Sequence, residues 1–537
     1  MLRRILGFIF MVFTIFAFFQ CARRGNPTGG PKDITAPILL SSEPENLTTN
    51  FDAKRIRLYF DEYVKLEKIQ EQLIVSPPLK YLPEITPQGN ARKYIEIILK
   101  DTLKENTTYT FNFGQSIVDN NEGNPNSFLT YVFSTGDYID SLSLTGVVRD
   151  AYNQKADEFI SVMLYEIDSA YTDSTIYKQP PNYITNTLDS TIIFKLNYLK
   201  AGKYALAAIR DEGKTNMFDQ KTDKIGFIED TITLPTDSTY LLTLFKEKPD
   251  YNILVPSFVA ENRIQFGYQG NREEFVIETL TELPDTVKTI LLKDREKDTL
   301  NFWFTPYEMD SIIFKVTNEK LKLIDTFSVK PRKLPADTLL VSPGLRKLSF
   351  EENYNLIANT PLVKIDTSQM MLTIQDSLPG SFSVSLDTLK NRVNFDFEVV
   401  PEQSYKLELF PGAVEDFFKD TNDTLTYNLS TGSLEDFGTL RLNLTGNTRF
   451  PMIVQLTNEK GDNIIREIYM TEPKILEFGH LDPSKYMVRV IYDENGNGIW
   501  DTGNYLKKLQ PEKVSYYPEV IEMRAIWIEE HTFILRE

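Results

Sequence analysis

Apolar and polar residues alternate along most of this chain with the two-residue period of a half-buried strand. Lys54-Arg55-Ile56-Arg57-Leu58-Tyr59-Phe60 is one such run; Tyr94–Leu99 and Tyr109-Thr110-Phe111-Asn112-Phe113 are others. Successive side chains of a strand point to opposite faces, so each run has one side for a core and one for water. Turn formers separate the runs. Ser76-Pro77-Pro78 closes Gln72–Val75, and Asp119-Asn120-Asn121-Glu122-Gly123-Asn124-Pro125 precedes Leu129–Ser134. Gly, Pro, Asn and Asp at these places supply turn geometry. Short strands at this spacing over about a hundred residues predict an Ig-like sandwich.

The pattern then repeats itself in order. Ser134-Thr135-Gly136 and Leu144-Thr145-Gly146 recur as Ser430-Thr431-Gly432 and Leu444-Thr445-Gly446. The run Leu199–Ile209, ending on Asp211, recurs as Leu481–Ile491, ending on Asp493, with Lys203-Tyr204 matching Lys485-Tyr486. Phe218-Asp219 matches Trp500-Asp501 without a gap, and Ile117-Val118-Asp119 is echoed by Ala413-Val414-Glu415-Asp416. These landmarks describe a two-sandwich cassette present twice. Between the copies, Thr299–Phe304 and Asp310–Val316 mark a further β-rich module. No strong helical period appears, although Ala413–Lys419 has room for a turn or two of helix. The expected fold is all-β: tandem Ig-like and transthyretin-like (prealbumin-like) β-sandwiches with no major helical domain. The expected units are residues 35–139 (Ig-like), 140–247 (transthyretin-like), 248–334 (middle sandwich), 335–434 (second Ig-like) and 435–537 (second transthyretin-like, with an acidic loop).

The start of the chain departs from alternation. Arg3 and Arg4 precede an apolar run from Ile5 to Phe19, broken only by Gly7 and Thr14, and Gln20-Cys21 ends it. The run falls short of the roughly 20 residues that span a bilayer. A positive n-region, a short apolar core and an abrupt polar boundary read as a secretory signal, residues 1–20. Cys21, the single cysteine, stands where a lipidated thiol would stand. Phe18, Phe19 and Gln20 replace the small residues usual before such a cut. Residues 21–34 read as a flexible, basic, Gly/Pro-rich tether.

Composition narrows the function. A net charge of −18 argues against nucleic-acid partners, whose phosphates demand basic patches. Two histidines, His480 and His531, leave little for a His-rich zinc site or a Ser-His-Asp triad, and each reads as a surface or strand residue. Asp61 and Glu62 are adjacent on a strand and point to opposite faces, so they make no acid–base pair with each other. No phosphate loop, nucleophile elbow or HExxH helix occurs.

The sharpest constellation is Asp493-Glu494-Asn495-Gly496-Asn497-Gly498-Ile499-Trp500-Asp501-Thr502-Gly503-Asn504. It follows D-x-[DN]-x-[DN]-G, in which Asp493, Asn495 and Asn497 would offer side-chain oxygens, Ile499 its carbonyl and Asp501 a further carboxylate. Asn504 stands where the bidentate Glu belongs, so a calcium site here would be weak, at about 10⁻⁴ to 10⁻³ M. The same residue types also make metal-free turns by bonding their own backbone. The sister loop Asp211–Asp219 keeps both aspartates but has Gly213 and Thr215 at ligand positions. Calcium is the one cofactor in question. Trp303, Trp500, Trp527, Tyr516 and Tyr517 are candidates for stacking on sugars, or for core packing.

Cys21-Ala22-Arg23-Arg24-Gly25-Asn26-Pro27-Thr28-Gly29-Gly30-Pro31-Lys32-Asp33, the strand ending Phe60-Asp61-Glu62, and Ser134-Thr135-Gly136 together resemble Bacteroidetes-type lipoproteins with an S-layer-protein-like (SbsA-type) Ig-like domain. The resemblance is clear over 35–137, and the next unit looks like the transthyretin-like sandwiches that accompany such domains. It implies a bacterial envelope protein without an established enzymatic activity; the chain is expected to be a non-enzymatic outer-membrane lipoprotein held by its lipid, on either the periplasmic or the surface face. Its expected partners are envelope proteins or glycans, and it supplies no catalytic residues. The preferred reading is a multi-sandwich scaffold or interaction protein. The alternative is a carbohydrate- or peptide-binding accessory lipoprotein. A hydrolase would need convergent carboxylates that the spacing does not provide.

Overall fold

The computed structural model describes residues 33–536, except 128, 188–191, 250, 271–274, 296, 345–346 and 376–377. The leader, Cys21 and most of the tether lie outside the described residues. Among those described, no helix is long and apolar enough to cross a membrane. Among the described residues the chain is all-β, with one four-residue α-helix at Ile69–Gln72 and short 3-10 turns.

Among the described residues, five hydrophobic cores are each built from one contiguous stretch of sequence: Phe51–Phe133, Leu144–Leu244, Ile253–Val329, Tyr354–Val414 and Leu440–Leu535. The alternation seen in the sequence builds them. In Arg55–Leu66, Ile56, Leu58, Phe60 and Val64 are buried, while Arg55 and Asp61 face water.

The two cassettes share one topology. In the first sandwich, Leu39–Glu43, Arg55–Leu66, Arg92–Ile98 and Glu84–Thr86 lie in that order in one sheet, facing a sheet of Ile74–Ser76, Thr108–Asn112 and Thr130–Ser134. In the fourth, Val341–Pro343, Tyr354–Ala358, Arg392–Asp396 and Ser383–Asp387 take the same order, and Met370–Ile374, Ser404–Leu409 and Leu425–Ser430 repeat the second sheet. The second and fifth sandwiches agree likewise. The first strand of each, Leu142–Asp150 or Gly438–Gly446, lies between an antiparallel neighbour and the last strand, which runs parallel to it (Thr239–Leu244, Ile528–Leu535). The repeat read from short landmarks is therefore a repeat of strand order.

The structure revises three local expectations. Val414–Asp416 is a strand paired with Leu362–Ile365, not a helical turn, because Val414 is needed in the core. Gln72 closes the short helix, and the strand begins only at Ile74. Leu199–Ile209 and Leu481–Ile491 are each broken by a tight turn at Lys200-Ala201 or Asp482-Pro483, so Leu199 and Leu481 end the preceding strands. The turn chemistry of Ala-Gly and Asp-Pro overrides the apolar continuity.

Candidate functional site

The predicted acidic loop follows Ser484–Tyr492, a strand whose last seven residues are buried on both faces. Asp493, 1% exposed, anchors the loop. One carboxylate oxygen accepts the N–H groups of Gly496 (2.9 Å) and Asn497 (3.1 Å), the other that of Gly498 (2.8 Å). Asn495 Oδ1 accepts from Asn497 N–H, and Asn497 Oδ1 from Ile499 N–H. The amide groups of Asn495 and Asn497 both donate to Asp501 Oδ2, the latter at 2.7 Å. Gly496 and Gly498 sit at φ 73° and 77°, which a side chain would disfavour. The loop thus gathers Asp493, Asn495, Asn497 and Asp501, but points their oxygens at its own N–H donors. Ile499 is exposed.

One residue of this loop escaped the sequence reading. Glu512, 8% exposed, takes the N–H of Glu494 on one carboxylate oxygen (2.8 Å) and that of Asp501 on the other (2.9 Å). Burial, together with the nearby charges of Asp501 and Asp493, pushes the Glu512 carboxyl above its ordinary range. The sister loop has the same clasp. Asp223 takes the N–H groups of Glu212 (3.1 Å) and Asp219 (2.8 Å), and Asp211 those of Thr215 and Asn216. Asp223-Lys224-Ile225 and Glu512-Lys513-Val514 were the available signal. It was hidden because Glu512 comes eleven residues after Asp501, whereas Asp223 comes four after Asp219.

The extra residues in the second loop form the joint between the cassettes. A sixth apolar cluster, formed by Met163, Tyr165, Ala207, Ile209, Phe218, Ile225, Phe227 and Phe245 of the second sandwich with their neighbours, includes Tyr505 and packs against Trp500. The matched aromatics Phe218 and Trp500 thus both belong to or border this one cluster. Tyr505 is 4% exposed. Its ring lies edge-on to Phe227 at 5.2 Å, the Lys508 ammonium sits 4.4 Å above it, and its N–H donates to buried Glu247 at 2.5 Å. Lys508 pairs with Asp173 at 2.7 Å, and the Thr502 hydroxyl donates to the Lys246 carbonyl at 2.7 Å.

Around the same joint, Arg489 is 3% exposed and donates to Gln455 Oε1, to the Tyr152 hydroxyl (2.7 Å) and to the Gly461 carbonyl. Its guanidinium lies 4.1 Å from the Tyr152 ring centre, and Tyr152 packs on Trp500 at 4.7 Å. Asp150, the last residue of the Leu-Thr-Gly strand, holds Tyr152 in place by accepting its N–H and that of Asn153. Residues about 300 apart in sequence are thereby locked together.

The aromatic candidates separate clearly. Trp303 is buried, with the Arg263 guanidinium 4.8 Å above it and Phe418 of the fourth sandwich 6.1 Å away. Trp500 is covered by Tyr152; Tyr516 and Tyr517 are half-buried, Tyr517 against His531 and Phe533. Trp527 is open at 47%. No concave aromatic platform forms among these five. His480 pairs with Glu351 at 3.2 Å at the joint between the fourth and fifth sandwiches, where Arg466 also reaches Glu351.

Residues 33–135 match the bacterial Ig-like domain family. No curated protein matches the chain. Among solved structures, surface layer protein SbsC (domains 1–6) overlaps 88% of this chain and 67% of its own at 11% identity, with a TM-score of 0.14. The Bacillus anthracis TIE protein covers 95% of this chain and 76% of its own at 11% identity and TM-score 0.13. A Bacteroides ovatus protein, SGBP-B of a mixed-linkage glucan utilization locus, in complex with a mixed-linkage heptasaccharide, covers 72% and 94% at 9% identity and TM-score 0.18. Overlaps at these scores carry no argument; the Ig-like assignment rests on the family match and the sheet order.

Proposed function

We propose that this chain is a non-enzymatic scaffold of the bacterial envelope, held to the outer membrane through a lipid on Cys21, with five sandwiches closed into a folded-back body. The observation that carries this reading is where the polar chemistry goes. Asp211, Asp223, Asp493 and Glu512 are spent on backbone N–H groups that shape two loops. The one buried arginine of the joint, Arg489, is spent on a tyrosine of another sandwich. Such groups fix relative domain position rather than face a substrate. In this reading the Asp493 loop is a metal-free clasp: a calcium ion bound by Asp493, Asn495, Asn497, Asp501 and the Ile499 carbonyl would have to displace the N–H donors already there.

The carbohydrate- or peptide-binding alternative needs an open aromatic surface, and of its five candidates only Trp527 is open. Crosslinked capture from intact envelopes, with the native anchor, separates the two readings. Envelope structural proteins among the captured partners support the scaffold. A polysaccharide-degrading complex supports the alternative. Mass spectrometry of the native protein tests the anchor: an unmodified Met1 start refutes it.

A further inference from the structure

The last strand of the fifth sandwich, Ile528–Leu535, lies at the edge of its sheet, and among the described residues it pairs with one neighbour, Gly438–Gly446. The pairing is parallel and unshifted, from Thr439 opposite Ile528 to Gly446 opposite Leu535. The carbonyls of Trp527 and Leu535 accept the Thr439 and Asn447 N–H groups, so the odd-numbered residues turn their main-chain groups into the sheet. Main-chain groups alternate in direction along a strand. Ile528, Glu530, Thr532 and Ile534 therefore turn theirs outward, along an open edge. The same four are the exposed residues of the strand, with Ile528 at 58% and Ile534 at 60%.

An open edge invites a further strand, and proteins blunt such edges with Lys, Pro, bulges or short strands. Ile528–Leu535 runs for eight residues without Lys, Pro or a break in register. Its one outward charge, Glu530, is met by Arg441 at 3.3 Å. The last strand of the second sandwich is finished differently. Thr239–Leu244 runs on into Phe245, which exchanges main-chain bonds with Ile225 at 2.9 and 2.8 Å, so that edge is tied to the facing sheet.

The outward residues read Ile-Glu-Thr-Ile, an order that matches itself when reversed. Antiparallel pairing of two copies about His531 sets Ile528 of each copy opposite Ile534 of the other, and Glu530 opposite Thr532. Every outward residue then faces an outward residue, each pair can exchange both main-chain bonds, and the exposed isoleucines cover one another. A slip of one residue sets outward groups against inward ones. A slip of two sets Glu530 opposite Glu530, where like charges repel, or sets Ile528 opposite Arg536 and Glu530 opposite Ile534. We infer that two copies of this chain pair edge to edge through Ile528–Leu535, antiparallel about His531, as a two-fold dimer. The occupant is a second copy because the edge complements itself in one register. The inference does not rest on the lipid anchor.

The test uses the full chain in detergent with Cys21→Ser, which removes the single native thiol. One preparation adds Ile528→Cys and another Ile534→Cys. With a short thiol crosslinker the mixture should link severalfold more than either preparation alone, because positions 528 and 534 face each other across copies, whereas two copies of one position lie about 20 Å apart. Thr532→Pro, placed in both preparations, removes one outward N–H at a site where an edge strand tolerates proline. It should abolish the linking and halve the mass seen in sedimentation, with the circular dichroism unchanged. Ile528→Lys/Ile534→Lys, which leaves the main chain intact, should likewise give monomers. A monomeric parent chain overturns the inference. So does linking as strong in one preparation alone as in the mixture, or a dimer that survives both sets of substitutions.

Discussion

Truncating Tyr505 should open the joint between the cassettes without unfolding either sandwich it connects. The ring is 4% exposed, and its contacts are Phe227, Tyr177 and Lys508, with Glu247 accepting the backbone N–H. Phe227, Tyr177 and Glu247 belong to the second sandwich, whereas the inner core of the fifth does not include Tyr505. Replacing a buried aromatic by Ala costs about 3–5 kcal/mol. Taking the lower value, because the loop can partly collapse, and a factor of ten per about 1.4 kcal/mol, the open form gains about a hundredfold. Native-state hydrogen exchange reads this directly. In Tyr505→Ala, amides of residues 500–512 should exchange about a hundredfold faster, with the cores around Leu206 and Val488 unchanged. Tyr505→Phe should stay near wild type, since it removes only a 3.5 Å hydroxyl contact with Tyr171, at the long limit of a hydrogen bond. Two results refute the reasoning: wild-type exchange of 500–512 in Tyr505→Ala, or equal acceleration of the whole fifth sandwich.

A methyl group at Gly503 would meet the Leu509 carbonyl oxygen at 2.6 Å and the Phe245 ring at 2.6 and 2.8 Å, so Gly503→Ala should weaken the joint by about 1–3 kcal/mol, seen as faster proteolysis within 500–512. Arg489 is buried and donates to Gln455, Tyr152 and the Gly461 carbonyl, and removing it alone leaves those acceptors unpaired at a cost of about 1–3 kcal/mol; Arg489→Met should lower the melting temperature of the fifth sandwich and loosen its hold on Tyr152. Chelator should leave calorimetric melting of the fifth sandwich unchanged, and a drop that calcium restores would show that the loop is a metal site after all. Burial raises the Asp119 carboxyl, but its four backbone N–H donors outweigh this and hold it below 3.8. Its stabilisation of the first sandwich is therefore complete above the ordinary aspartate range and fades as pH falls through the lowered value; Asp119→Asn should flatten the acid unfolding of this sandwich below that range.

Much of the architecture was legible because alternation and turn residues are local signals, and the cassette repeat because Lys-Tyr, aromatic-Asp and Leu-Thr-Gly keep their places. Asp493 was legible as part of an oxygen-rich loop, open between calcium ligation and a metal-free turn. Glu512 was not, because its partners are backbone N–H groups across an insertion of changed length, and no spacing rule covers that. Tyr505 and Tyr152 read as ordinary aromatics; only the three-dimensional return of the fifth sandwich to the second gives them a role. Trp500 was open between stacking on sugars and core packing, and its ring packs on Tyr152. Sequence patterns report which face of a strand is apolar, and they do not report which distant sandwich covers the other face.

The central claim, that the second and fifth sandwiches are docked in the working protein, is met most directly by a short thiol crosslink between Asp173→Cys and Lys508→Cys, whose parent side chains pair at 2.7 Å. Treated in intact envelopes, the double variant should link within one chain rapidly and nearly completely, and Tyr505→Ala should slow the reaction. Failure to link within the chain, with both thiols reactive towards a monofunctional reagent, would contradict the closed scaffold.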